Sequence, residues 1–197
     1  MNKKDLPEYV VVTKTGQRPS ILKTPAHNVP FPLTKEDVQD MRTLEAKYEA
    51  QEHCAGLAAP QIGIAKKIIV FAAPDEEALH RHHPELTQTM GKTIWFNASY
   101  QGIEEAGMYE EYEGCFSVED LLGPVMRYNQ ISYDAYDKDG IHYEGTAAGY
   151  LARIIQHEID HINGRLFIDM IPLERCMTRT DYRAMRSKLF RPAKHRK

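Results

Sequence analysis

The chain has little of what would assign it to a specialised class by composition. Only three of its 197 residues are cysteines, Cys54, Cys115 and Cys176. That odd number, without the spacing of a disulfide framework, excludes a small stapled scaffold and suits a reducing compartment. No apolar run approaches the length of a membrane span, and the first eight residues lead into no apolar signal-peptide core. The expected setting is therefore cytoplasmic, with no membrane partner. An excess of charge of one sign is also lacking: the formal net charge is -3 and the pI is near 6.3. This argues against a general or sequence-specific nucleic-acid binder. Internal repeats and low-complexity blocks are absent. A chain of this length is most simply a single domain, 1–197, able to bury about 70% of its unfolded surface without a metal to make it fold.

Against that background one stretch stands out, Gln156-His157-Glu158-Ile159-Asp160-His161. Four residues advance an α-helix a little more than one turn, so His157 and His161 project from one face and can grip one metal ion. Glu158 beside them can reach a metal-bound water without binding the metal, which is the general-base arrangement of metal-assisted hydrolysis. Tyr150, Leu151, Ile154, Ile155, Ile159 and Ile162 recur at helical spacing, so the helix is expected over residues 147–163 as a buried core element. Asn163-Gly164 should end it. The competing interpretation is a pair of satisfied core histidines.

The rest of the chain supplies a frame. A β-branched run at 9–13 precedes a proline-punctuated surface segment, and Thr34 should cap a helix running to about Glu52 in a capping-box pattern with Asp37. A run of small residues follows, Cys54 to Gly63, in which Gln61 is the long polar side chain: an amide aimed into a site, or an exposed loop residue. Strands are expected at 68–73, 93–103, 108–113 and 165–171, with a hairpin of 131–136 and 141–144 turning at Asp139-Gly140. Residues 74–92 read as an insertion or loop in which His80, His82 and His83 form a solvated helix or loop or, alternatively, a metal-binding cluster. Cys115, between a strand-like run and a glycine, is either a small buried hydrophobe or a third metal ligand. Thr180 should cap a C-terminal helix over 181–190. The acidic run of Glu104, Glu105, Glu110, Glu111 and Glu113 and the basic tail from Arg183 to Lys197 read as solvated faces. The order of helices and hairpins predicts an α+β fold, with antiparallel or mixed sheets around the metal helix.

Three segments together resemble the motifs of the peptide deformylases: Cys54-Ala55-Gly56-Leu57-Ala58-Ala59-Pro60-Gln61, Glu113-Gly114-Cys115-Phe116-Ser117, and Gln156 to His161. The helical, basic C-terminus resembles the first type of bacterial deformylase. The resemblance implies that Cys115, His157 and His161 bind the metal, with water in the fourth position, and that Glu158 is the base. It also implies Gln61 and the backbone N–H of Phe116 as oxyanion donors. Ferrous iron would be the cellular metal, with zinc, nickel or cobalt as substitutes. The implied reaction releases formate from an N-formylmethionyl peptide lying along Gly56 and Gly114. The methionine would enter an apolar pocket lined by Ala55, Tyr150, Ile154, His157 and the aliphatic stem of Arg153. The ribosome is an implied partner of the basic C-terminal helix. Cys54 and Phe116 depart from the family's Gly and Leu. Glu119 and Leu122, in the loop expected after Cys115, stand where Pro and a substrate-contacting Arg are common. A metallopeptidase and a non-catalytic binder of nascent N-termini are the alternatives.

Overall fold

Residues 6–13 and 16–189 are described by a computed structural model. Its elements in chain order are α1 (Lys35–Glu49), β1 (Gly56–Ala58), β2 (Ile68–Ala73), α2 (Glu77–His82), β3 (Met90–Gly102), β4 (Met108–Cys115), β5 (Val118–Tyr128), β6 (Gln130–Tyr136), β7 (His142–Ala148), α3 (Gly149–Ile162), β8 (Met177–Thr178) and α4 (Arg179–Leu189). Five strands form one sheet in the order β1-β2-β3-β6-β7, and β4-β5-β8 form a second. Every pairing between these strands is antiparallel. The fold is α+β, with α3 packed between the sheets.

Strand β2 shows why its sequence is continuously apolar. Successive side chains point to opposite faces of a strand. Ile69, Phe71 and Ala73 join the cluster around α3, with Trp95, Leu151, Ile155 and Ile159. Ile68 and Val70 join a second cluster with Leu44 of α1, Leu57 and Phe96. Helix α3 begins after β7 at Gly149, whose φ is +58° and whose added Cβ would collide with the Glu85 carbonyl oxygen. At the other end of α3, Gly164 has φ +72°, the left-handed conformation that ends a helix.

Several expectations need correction. Residues 165–171 are not a strand but contain a 3-10 turn, Phe167–Asp169. Leu166 N–H donates to Asp169 Oδ2 at 2.8 Å, so a side chain takes the hydrogen bond that a ladder would need. The segment after Cys115, expected as a loop, is the eleven-residue β5, carrying both Glu119 and Leu122. Its Pro124 faces Tyr112 of β4, while the other neighbour, β8, pairs only at Leu121 and Leu122, so no partner needs the missing N–H. Helix α1 stops at Glu49 rather than Glu52. Residues 74–92 hold the short α2 and the start of β3. The run at 9–13 joins neither sheet; Val10 and Val12 N–H donate to the Gln61 and Ser117 carbonyls at 2.8 and 2.9 Å. Thr178, not Thr180, caps α4, its Oγ1 accepting from Asp181 N–H at 3.1 Å. The tail residues Arg191, Lys194, Arg196 and Lys197 lie outside the described residues. Among the described residues, no helix is long and apolar enough to cross a membrane.

The α1 cap is a capping box: Thr34 Oγ1 accepts from Asp37 N–H at 3.1 Å, and Asp37 Oδ2 accepts from Thr34 N–H at 2.9 Å. Burial alone would raise the Asp37 pKa, but hydrogen bonds from Lys66 and Thr34 carry it from the ordinary 3.8 down to about 2. A carboxylate with a depressed folded pKa stabilises fully above its unfolded value and loses that contribution as pH falls towards the folded one. Thr34→Ala should therefore lower the unfolding free energy by about 1 kcal/mol in urea titrations. Asp37→Asn should flatten the fall in stability between pH 3.8 and 2.

Candidate metal centre

One turn of α3 separates His157 from His161, and their rings stand at 89° with centroids 4.8 Å apart. The two Nε2 atoms are 3.2 Å apart. Cys115, the last residue of β4, brings its Sγ to 3.3 Å from His161 Nε2, and the three donor atoms lie within 4.8 Å of one another. Nitrogen and sulfur ligands about 2.0–2.3 Å from a tetrahedral centre stand roughly 3.3–3.6 Å apart. Two of the three separations, 3.2 and 3.3 Å, are close to that spacing, and a thiol with two imidazoles is a donor set that suits one transition-metal ion. The Cys115 sulfur also accepts from Gln61 Nε2 and Ser117 N–H, both at 3.3 Å, contacts that suit a sulfur bearing negative charge.

Behind the triad lies a buried ion cluster. Glu113, two residues before Cys115 on β4, accepts from Arg127 Nε at its Oε1 and from Arg127 Nη2 at its Oε2, both at 2.9 Å. Its Oε1 also accepts from Arg153 Nη1 at 2.7 Å, and its Oε2 lies 2.9 Å from His157 Nδ1. Arg127, 1% exposed, also pairs with Asp160. Burial alone would raise the Glu113 pKa, but the Arg127 charge and the contacts with His157 hold it far below the usual carboxylate range. A carboxylate on Nδ1 fixes the imidazole so that Nε2 faces the triad. Burial pulls the His157 pKa down, yet hydrogen bonds with Cys115 and Glu113 leave it raised. Burial and the neighbouring charges of His157 and Arg127 push that of His161 well down.

This cluster corrects one expectation. Glu113 is no part of a solvated acidic face, because two buried guanidiniums claim it. The Arg153 guanidinium donates also to the carbonyls of Val125 and Tyr109 at 3.0 and 2.8 Å. Sequence reasoning assigned no role to Arg127 or Asp160. Asp160 stands inside the His-Glu motif and could have been suspected. Arg127 left no signal.

Glu158 is buried against β1. A Cβ on Gly56 would lie 2.5 Å from Glu158 Oε1, so the missing side chain makes room for the glutamate. Burial raises the Glu158 pKa to about 7, against a lowering by His157. Its Oε2 has no hydrogen-bond partner among the described residues, an orphaned buried acceptor of the kind that calls for an explanation. Gln61 is 2% exposed and is not a loop-surface residue. Its Oε1 accepts from Ala58 N–H at 2.8 Å, which aims Nε2 at Cys115. Phe116 stacks on Tyr9 with centroids 4.9 Å apart.

A cleft of about 520 Å³ is lined by Gly56, Gln61, Gly114, Phe116 and Glu158 together. A smaller cavity of about 160 Å³ adjoins it, lined by Ala55, Tyr150, Arg153, Ile154 and His157. It is less apolar than expected, since Glu111 and Glu113 are also in its wall. Of the three clustered histidines, His83 is not simply solvated. It stacks on Tyr150 at 3.7 Å and lies 3.0 Å from Glu85 Oε1. Cys54 donates its thiol to the Gly56 carbonyl at 3.1 Å, and burial pushes that thiol well above its usual range.

Removing one member of a buried ion cluster leaves its partners charged and unpaired. Arg127→Met should cost roughly 3–5 kcal/mol in denaturant unfolding. Gly56→Ala should displace Glu158 and lower hydrolytic activity while leaving metal content unchanged by elemental analysis.

A sequence model of the polypeptide deformylase family matches residues 11–176. Peptide deformylase 2 of Rickettsia conorii is 47% identical over 192 residues, which cover 95% of this chain and 94% of that relative. The Met-Ala-Ser-bound class I type b peptide deformylase from Acinetobacter baumannii superposes with a TM-score of 0.70 at 27% identity, over 84% of this chain and 99% of that one. The peptide deformylase of Ehrlichia chaffeensis shares the fold with a TM-score of 0.71 at 24% identity, over 94% and 100% of the two chains. These matches span all three segments that meet at the Cys-His-His group, and the chain belongs to the peptide deformylase family.

Proposed function

We propose that the protein removes the formyl group from N-formylmethionyl nascent peptides, with Cys115, His157 and His161 holding a divalent metal ion and Glu158 moving the proton. One observation carries these roles: a buried carboxylate with an unpartnered oxygen stands beside a sulfur and two imidazole nitrogens at ligand spacing. When bound, the ion supplies Lewis acidity and makes a water available for attack near neutral pH. Glu158 Oε2 accepts the proton of the attacking water and delivers one to the methionine nitrogen as the C–N bond breaks, giving formate and a free amine. Gln61 Nε2 and the backbone N–H of Phe116 donate to the oxygen that gains charge, an interaction typically worth about 3 kcal/mol per donor. Cys115 and Phe116 are adjacent in sequence, so a strand that brings sulfur to the triad brings this N–H with it.

The peptide lies extended along Gly114. Its methionine enters the cavity of Ala55, Tyr150, Arg153 and Ile154, where burial contributes roughly 1.5–3 kcal/mol. Ferrous iron is the ion we assign in the cell, with zinc, nickel or cobalt as substitutes. A thiolate with two imidazoles favours such ions over magnesium or calcium. Three free cysteines support a cytoplasmic setting. The basic C-terminal helix is assigned to the ribosome on its charge.

Formate release is the direct test. Metal-loaded protein should release formate from formyl-Met-Ala-Ser and leave Met-Ala-Ser intact; cleavage between residues would instead make it a metallopeptidase. Glu158→Ala should lower kcat at least about 100-fold with metal content retained. An unchanged rate would remove Glu158 as the base and leave the non-catalytic binder in contention.

A further inference from the structure

Two guanidinium groups of α4 reach the cleft over the metal triad. Arg179 and Arg183 line it together with Gly114, Glu158 and Leu122. They are four residues apart, so they share one face of the helix. Both are exposed. Their basic neighbours are engaged: Arg175 pairs with Glu110 at 2.9 Å, and Arg186 lies over the Tyr182 ring at 5.9 Å. Arg179 and Arg183 make no ion pair or hydrogen bond with the described residues.

The start of α4 is held in place. Thr178 and Asp181 form its cap. Strand β8, directly before it, pairs with Leu121 and Leu122 of β5, and Tyr182 packs on Tyr112 of β4 with centroids 5.0 Å apart. A Cβ on Gly114 would lie 3.3 Å from Arg179 Nη2. Gly114 also lines the methionine cavity. A chain leaving that cavity along Gly114 therefore passes under α4. Glu52 is the acid of this cleft other than Glu158, so the mouth presents two unpaired cations against one solvent-side carboxylate.

We propose that Arg179 and Arg183 are specificity-determining residues that favour formylated peptides with acidic residues after the methionine. The inference rests on the deformylase reading of the site. Acidic side chains gain two charge-assisted partners, and lysines meet like charge. Exposed pairs of this kind change affinity by about threefold each, so the two together reach about tenfold.

The test compares kcat/KM for formyl-Met-Asp-Asp-amide, formyl-Met-Ser-Ser-amide and formyl-Met-Lys-Lys-amide with the metal-loaded full chain at low salt. The wild type should favour the Asp peptide over the Lys peptide by about tenfold, and the preference should shrink as salt screens it. Arg179→Ala with Arg183→Ala should bring the ratio close to one, Arg→Lys at both positions should keep it, and Arg→Glu at both should invert it. A wild-type ratio near one, or one unchanged in the Ala and Glu variants, overturns the proposal. Failure of the deformylase reading would show differently, as no formate from even the Ser peptide. In that event, calorimetric affinities for Met-Asp-Asp-amide and Met-Lys-Lys-amide decide the arginine assignment: an acidic preference lost in the Ala variant supports it, and equal affinities overturn it.

Discussion

Where the three-stranded sheet meets the central helix, the Glu113 carboxylate is shared by Arg127 of β5 and by Arg153 and His157 of α3. Burying these charges costs solvation that an apolar core would not. The cluster offsets that cost through near-saturation of its hydrogen bonds, including the second carboxylate, Asp160, on Arg127. An apolar substitute could join the same elements but could not hold an imidazole in one orientation. With Glu113 on Nδ1, the other nitrogen of His157 is directed to His161 and Cys115, the support that metal-binding histidines generally require. The fold and the site thus share one ion cluster.

The same economy appears around Glu158. It lies against Gly56, where any side chain would intrude on the carboxylate. The missing side chain there makes room for the helix that carries Glu158. Gln61, three residues from the end of the segment's short strand, is fixed by its own backbone contact at Ala58 and directed at the cysteine. The cleft is consequently walled by three distant parts of the chain, and α4 closes its rim.

What could be read in the sequence divides along physical lines. Periodicity located α3 within two residues at each end, and continuous apolarity located β2, because both are set by which faces are buried. Thr34 and Asp37 announced their cap through local chemistry. Strand β5 was illegible because Gly123-Pro124 reads as a turn unless the partner strand is known. The turn at Phe167–Asp169 was hidden because a side-chain contact from Asp169 overrode the pattern. At Glu113 the misleading signal was its acidic neighbours. Alternation along β4 places Glu113 on the same face as Cys115, so assigning the sulfur to a metal site should have turned the glutamate inward as well. Arg127 could not be found this way, since the pairing register sets it opposite Tyr109 and sets Gly123 opposite Glu113, so the reach of the side chain along the sheet brings it to that glutamate.

X-ray absorption spectroscopy of the metal-loaded protein measures most directly whether one sulfur from β4 and two imidazoles from α3 surround a single ion, as proposed. A zinc-loaded sample should show one sulfur scatterer at about 2.3 Å and two imidazole nitrogens at about 2.0–2.1 Å, with the sulfur contribution lost in Cys115→Ser. A coordination shell of nitrogen and oxygen alone in the wild-type protein would contradict it.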